Sequence, residues 1–146
     1  MSTSQILDRA ADHIEKYGWA RKEYFRPEIP DGPNLPPNQC PVCADAAISV
    51  AAGQHPEFSE GLTLDFIDDP TDAEELGPEH RDALQQVRAA ETAFARHLRR
   101  KYGGELTSEV ADQVTITTWN DEPGRTAEQV IAELRACALT EREAGR

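Results

Sequence analysis

Eleven consecutive residues, Trp119-Asn120-Asp121-Glu122-Pro123-Gly124-Arg125-Thr126-Ala127-Glu128-Gln129, set the tightest constraint on how this chain can fold. Pro123 fixes φ at the second position of a turn and Gly124 tolerates the positive φ of the third, so Glu122 to Arg125 reads as a type II turn. Thr126 then stands at a helix N-cap, and Gln129, three residues on, completes a capping box. The helix that starts there carries Val130, Ile131, Leu134 and Ala138 on one apolar stripe. Asp121 is placed to accept N–H groups of the turn or to pair with Arg125. Turn and cap chemistry, with Trp119 as a core anchor, accounts for nearly every residue type present. The competing reading has Trp119, Asn120, Asp121 and Arg125, joined by Trp19, line a binding surface.

The same helical periodicity recurs upstream. Ile6, Leu7, Ala10, Ala11 and Ile14 predict a first helix over about Ser4 to Tyr17, with Ser2 and Gln5 as a capping box and Gly18 at its end. Trp19 is expected to fold back on that end. A proline-rich loop follows over 26–39, and a short Ala-rich helix runs from Cys43 to Ala52. The acidic loop 54–77 holds a candidate strand, Leu62 to Phe66. The longest helix runs from Pro78 to about Tyr102, with Leu84, Val87, Phe94 and Leu98 on one face. Val114 to Trp119 is β-branched, yet no partner strand is evident and a lone strand is unstable. A helix from Ser108 is therefore preferred there, with Val110, Val114 and Thr117 sharing a face. The fold class is mostly α: a single domain over 1–140, four to five helices, long acidic and proline-rich loops, room for one short strand or hairpin, and a frayed tail over 141–146.

Composition bounds the core. Leu, Ile, Val and Phe number only 27 of 146 residues and the net charge is −12, near the border at which chains fail to bury a core. Alanine makes up part of the deficit by letting helices approach closely, so a thin, Ala-rich helical core is expected. From Pro41 to Gly77 there are nine acids and no bases, while Pro78 to Gly104 reverses to three acids and six bases. A pI near 4.7 argues against direct nucleic-acid binding, which is driven by Lys and Arg. The one basic cluster, Arg96-His97-Leu98-Arg99-Arg100-Lys101, falls in the last turns of the longest helix, where cations complement the macrodipole. No run of apolar residues is long enough to span a membrane, and the amphipathic N-terminus is no secretion signal, so a cytoplasmic protein is expected.

Chemistry-bearing residues are few. Cys40-Pro41-Val42-Cys43 lacks the preceding strand of a redox motif, and His13, His55, His80 and His97 are too scattered to complete a zinc site. No metal or cofactor is expected. Cys43 precedes a helix, where a thiolate is favoured, and makes a candidate nucleophile if His55 or His97 supplies a base. Its competing role, shared with Cys137, is packing as a small buried apolar group. The acidic block has no calcium-loop spacing; it reads as a solvated loop, or as a surface mimicking nucleic-acid phosphates.

Three stretches also carry a resemblance: Gly18-Trp19, Cys43-Ala44-Asp45-Ala46-Ala47-Ile48, and Trp119 to Thr126. They resemble a family of small actinobacterial and actinophage proteins of no assigned activity, marked by a Gly-Trp pair, a Cys-Ala-x-Gly-Ala-Leu-like stretch and a Trp-Asn-Asp-x-Pro-Gly-Arg-Thr motif. Ala46 stands where that pattern has glycine, narrowing the space beside Cys43. The resemblance covers about half the chain and leaves the acidic block unmatched. It implies a compact, mostly helical domain with Trp19, Cys43 and Trp119 to Thr126 at its shared centre. With no complete catalytic constellation, an interaction or regulatory module with a protein partner is expected, its oligomeric state open. The alternatives are a Cys43-dependent enzyme and an acidic mimic that occupies a nucleic-acid-binding protein.

Overall fold

Apolar stripes at helical spacing dictate the architecture of the computed structural model, which describes residues 1–28, 32–58, 78–103 and 111–146. Among these, the regular elements are five α-helices, α1 (Thr3–Tyr17), α2 (Ala44–Ala51), α3 (Pro78–Tyr102), α4 (Asp112–Asn120) and α5 (Ala127–Glu143), and a single 3-10 turn at Pro37–Gln39. There is no sheet among the described residues, and the candidate strand Leu62 to Phe66 lies outside them.

α1 forms as its sequence requires. Gln5 N–H donates to Ser2 Oγ at 3.2 Å and Ser2 N–H to Gln5 Oε1 at 2.9 Å, closing the capping box. Ile6, Leu7, Ala10, Ala11 and Ile14 are all buried, against α2, α3 and above all α5. Gly18 stops the helix at φ 107°, its N–H reaching Ile14 O at 2.9 Å, while Pro41 packs close to it. On the outer side, Arg135 of α5 meets Asp12 and Glu15 at 2.8 Å each, and Arg142 meets Asp8. Such exposed pairs fix register more than they add stability.

Beyond Gly18 the chain loops around Val42. Ala20 N–H donates to Val42 O at 2.9 Å, Arg26 N–H to Pro41 O at 3.0 Å, and Cys43 N–H to Tyr24 O at 2.9 Å. Val42 thus bridges Trp19 in parallel and Phe25 antiparallel. These isolated bridges satisfy backbone groups that neither α1 nor α2 reaches.

The core is thin and Ala-rich, as expected. Phe94 of α3 meets Trp119 of α4 edge-to-face at 5.9 Å. Around them Ile6, Leu7, Ile48, Leu98, Ile116 and Leu134 are fully buried, with Ala10, Ala46, Ala47, Ala90 and Ala138 between helices. Each large apolar side chain contributes about 1.5–3 kcal/mol by leaving water.

α4 is helical as preferred, though its expected start at Ser108 lies outside the described residues. The face that Val114 and Thr117 share is the outer one. Val114 is 49% exposed, and Thr115, Ile116, Trp119 and Asn120 are buried instead. Ile116 and the indole carry more apolar area than Val114 and Thr117, and at 100° per residue the two sets cannot share a face. Part of the basic end of α3 is absorbed internally, while Arg96 and Arg100 stay exposed. Arg99 donates to Asp112 Oδ1 at 2.9 Å and Thr115 Oγ1 at 3.0 Å, while His97 and Lys101 reach buried Glu133 of α5 at 3.1 and 2.5 Å. α5 runs to Glu143, past the expected end at Thr140, and Glu141 is buried on it.

Candidate functional site

The turn after α4 forms through local chemistry. Gly124 takes φ 85° and Arg125 N–H returns to Glu122 O at 3.1 Å, both marks of a type II turn. Gln129 N–H donates to Thr126 Oγ1 at 3.2 Å and Thr126 N–H to Gln129 Oε1 at 3.0 Å. Arg125 folds inward. Its Nε donates to Trp119 O at 3.0 Å, it pairs with Glu122 at 2.7 Å, and its guanidinium lies 4.2 Å from the Trp119 ring centre and 5.1 Å from that of Tyr102. The arginine therefore seals the indole from water by a cation–π contact. Trp119 itself is buried by packing alone: its indole N–H meets no acceptor among the described residues.

Asn120 is the junction of three segments. Its Oδ1 accepts from Trp19 Nε1 at 2.7 Å and from Ala44 N–H at 3.0 Å. Its Nδ2 donates to Ala20 O at 3.2 Å and to Asp121 Oδ1 at 3.0 Å. Two donors and two acceptor sites are all used, which is the full capacity of a carboxamide. Reversing the amide would set N–H against N–H, so its orientation follows from its partners. Asp121 does not pair with Arg125, as one expectation had it. Its Oδ1 accepts from Lys22 N–H at 2.7 Å, its carbonyl accepts from Arg21 Nε at 3.1 Å, and Glu122 takes Arg125 instead. Glu122 sits inside the turn on the side that Arg125 folds toward, whereas Asp121 caps α4 facing the 19–22 segment. Lys22, the only non-Gly residue with positive φ among those described, holds φ 65° against that aspartate. A lysine in this left-handed region costs on the order of 1 kcal/mol.

Cys43 joins this centre through its neighbour Ala44, but as a cap. Its Sγ accepts from Ala46 N–H at 3.4 Å, and burial, then the charge of Asp45, push its pKa up to about 12. Helix N–H groups pull the other way and lose. Cys40 donates to Pro36 O at 3.2 Å, and burial raises its pKa too. Cys137 is buried in α5 and pushed up to about 12 by burial and then Glu141. The two histidines considered as bases are engaged elsewhere: His55 packs edge-on to Phe25 and His97 is held by Glu133. Among the described residues, no three His, Cys, Asp or Glu side chains converge as metal ligands.

One depression, of about 240 Å³, opens beside this junction, lined by Lys22, Glu23, Tyr24, Cys43, Thr117 and Asp121. The structure thus brings Trp19, Cys43, Asn120 and Asp121 to one place and sets Trp119 and Arg125 behind it. Of these only Cys43 and Asp121 reach the depression; Asn120 is wholly buried. Lys22, Glu23, Tyr24 and Thr117 were not anticipated. The one hint to them is the exposed β-branched face of α4, since Val114 and Thr118 do nothing for a helix in water.

No helix among the described residues is long and apolar enough to cross a membrane. No curated protein and no solved structure matches this chain. A family model does match, that of a family of unknown function, DUF6197, over residues 1–140, a span that includes the acidic block.

Proposed function

We propose, for a chain that belongs to the DUF6197 family and inherits no reaction from it, that it is a small cytoplasmic interaction module with a protein partner. Its recognition surface would be the outer face of α4 together with the 22–24 segment. The observation that carries this reading is the combination of a depression beside Asp121 with Val114, Thr117 and Thr118 facing outward on the same helix. β-branched residues are poor choices for an exposed helical position, costing several tenths of a kcal/mol each relative to alanine. Keeping them there makes sense if something packs on them. The left-handed Lys22 supports the same place, because backbone strain gathers where a surface must hold a particular shape. Three free, buried thiols suit a reducing compartment.

In this reading Trp119, Asn120 and Arg125 are the scaffold of the surface, and Asp121 is the one member of the motif that a partner touches. Cys43 forms part of the wall. A thiol with a pKa near 12 is not a nucleophile at neutral pH, which weighs against the cysteine-enzyme alternative. The phosphate-mimic alternative rests on acidic residues that fall largely outside the described ones. The test is Thr117→Trp, which fills the depression from an accessible helical position. A partner co-purifying with the unaltered protein should be lost from the variant while its melting temperature stays the same. Recovery of identical partners by both proteins would reject this surface.

A further inference from the structure

Two adjoining depressions, of about 320 and 450 Å³, share Thr3, Ala89 and Arg146 and so make one groove along α3. It has no lining residue in common with the depression beside Asp121. Arg88 and Arg96 stand on its edge, both exposed, with Thr92 in the row between them and the small side chains of Ala89 and Ala93 alongside. Arg146 faces them, held by Glu141 at 2.7 Å.

In a chain with 27 acids to 15 bases, arginines find carboxylates easily. Arg99, Arg125, Arg135 and Arg142 each do, while Arg9, Arg21, Arg81 and Arg100 have no carboxylate partner among the described residues. Arg88 and Arg96 have no ion pair among the described residues, although both are within side-chain reach of a groove that passes Glu141. Asp82 and Glu141 are the acids that line the groove, and Glu141 is taken by Arg146, so neither guanidinium is neutralised there. Eight residues of helix separate the two guanidinium-bearing positions by about 12 Å. Four residues of extended chain span about 13 Å.

We propose that this groove binds an acidic segment of a partner protein, with carboxylates four residues apart on Arg88 and Arg96. The alanines beside that row let the bound backbone lie close to α3, and bidentate pairing fixes its register. Nucleic acid is the less fitting polyanion. Its dense phosphates would meet the repulsion of a molecule carrying −12 overall, whereas a few carboxylates are screened within about 8 Å at physiological salt.

The probe is a short fluorescein-labelled peptide with Glu at every fourth position, read by anisotropy beside its Gln counterpart and a labelled single-stranded oligonucleotide. The expected result is saturable binding of the Glu peptide that weakens with salt, is absent for the Gln peptide, and falls about tenfold or more in Arg88→Glu/Arg96→Glu at unchanged melting temperature. Arg88→Gln/Arg96→Gln should give an intermediate loss, since it removes attraction without adding repulsion. No binding of the Glu peptide, equal binding of the Gln peptide, or indifference to both double variants would overturn the proposal. Preference for the oligonucleotide through the same two arginines would overturn it in favour of a nucleic acid. Retention of the Thr117-dependent partner by these variants distinguishes failure here from failure of the α4 surface.

Discussion

Four hydrogen bonds converge on the carboxamide of Asn120, and each joins it to a different piece of backbone or side chain. Removing the group leaves Ala44 N–H and the Trp19 indole N–H without an acceptor, in a place water reaches poorly. Asn120→Ala is therefore expected to lose about 3 kcal/mol in urea denaturation. Asn120→Asp should fare no better, because it sets a carboxylate beside Asp121 and an oxygen against Ala20 O. A loss below about 1 kcal/mol would show that the junction relaxes around the gap. Arg125 plays a second structural part, covering Trp119 and holding its carbonyl. The specific-looking motif thus folds the protein first, and any recognition passes through what it positions.

At the scale of the element, α4 is the helix least suited by sequence to be one. Five of its nine residues, Val114 to Thr118, are β-branched. Burial explains Thr115 and Ile116; Thr117 bonds back to Gln113 O at 3.0 Å; Val114 and Thr118 are exposed with no such account. Replacing both by alanine should raise stability by about 0.5–1 kcal/mol, measured by thermal melting, and weaken partner binding at the proposed surface. A double variant less stable than the parent would mean that these side chains already pack within the chain. The element scale also shows what could be read beforehand. Ser2 with Gln5, Thr126 with Gln129, and Gly124 at its turn were legible because capping and turn chemistry is settled within four residues. The role of Asn120 was not, because its partners Trp19, Ala20 and Ala44 lie 76 to 101 positions away. Nor was Lys22, since no Gly, Asn or Asp marks its left-handed turn. Which face of α4 turns inward was not legible from β-branched spacing alone, because the indole of Trp119 sets the rotation.

For the whole molecule, the question is how so little large apolar area holds the five described helices together. Part of the answer is polar but buried, and so sensitive to pH. His13 on α1 donates from Nε2 to Cys40 O at 2.8 Å, and burial lowers its pKa below the usual 6.5 despite that bond. The unfolded chain takes up this proton as pH falls through about 6.5, while the folded protein resists it. The stabilisation is complete above that pH and declines below it, toward the depressed value in the native state. The melting temperature should therefore drop between pH 7 and pH 5, and His13→Gln should flatten that part of the curve. An unchanged slope in the variant would assign the pH dependence to other groups.

Both tryptophans of the chain attach to a single spot: the indole of Trp19 is hydrogen-bonded to Asn120, and Trp119 precedes that asparagine in the sequence. Intrinsic fluorescence in this protein is consequently a local gauge. Its emission registers whether the N-terminal loop is still latched to the last helical hairpin and whether Phe94 of α3 still packs on the Trp119 ring.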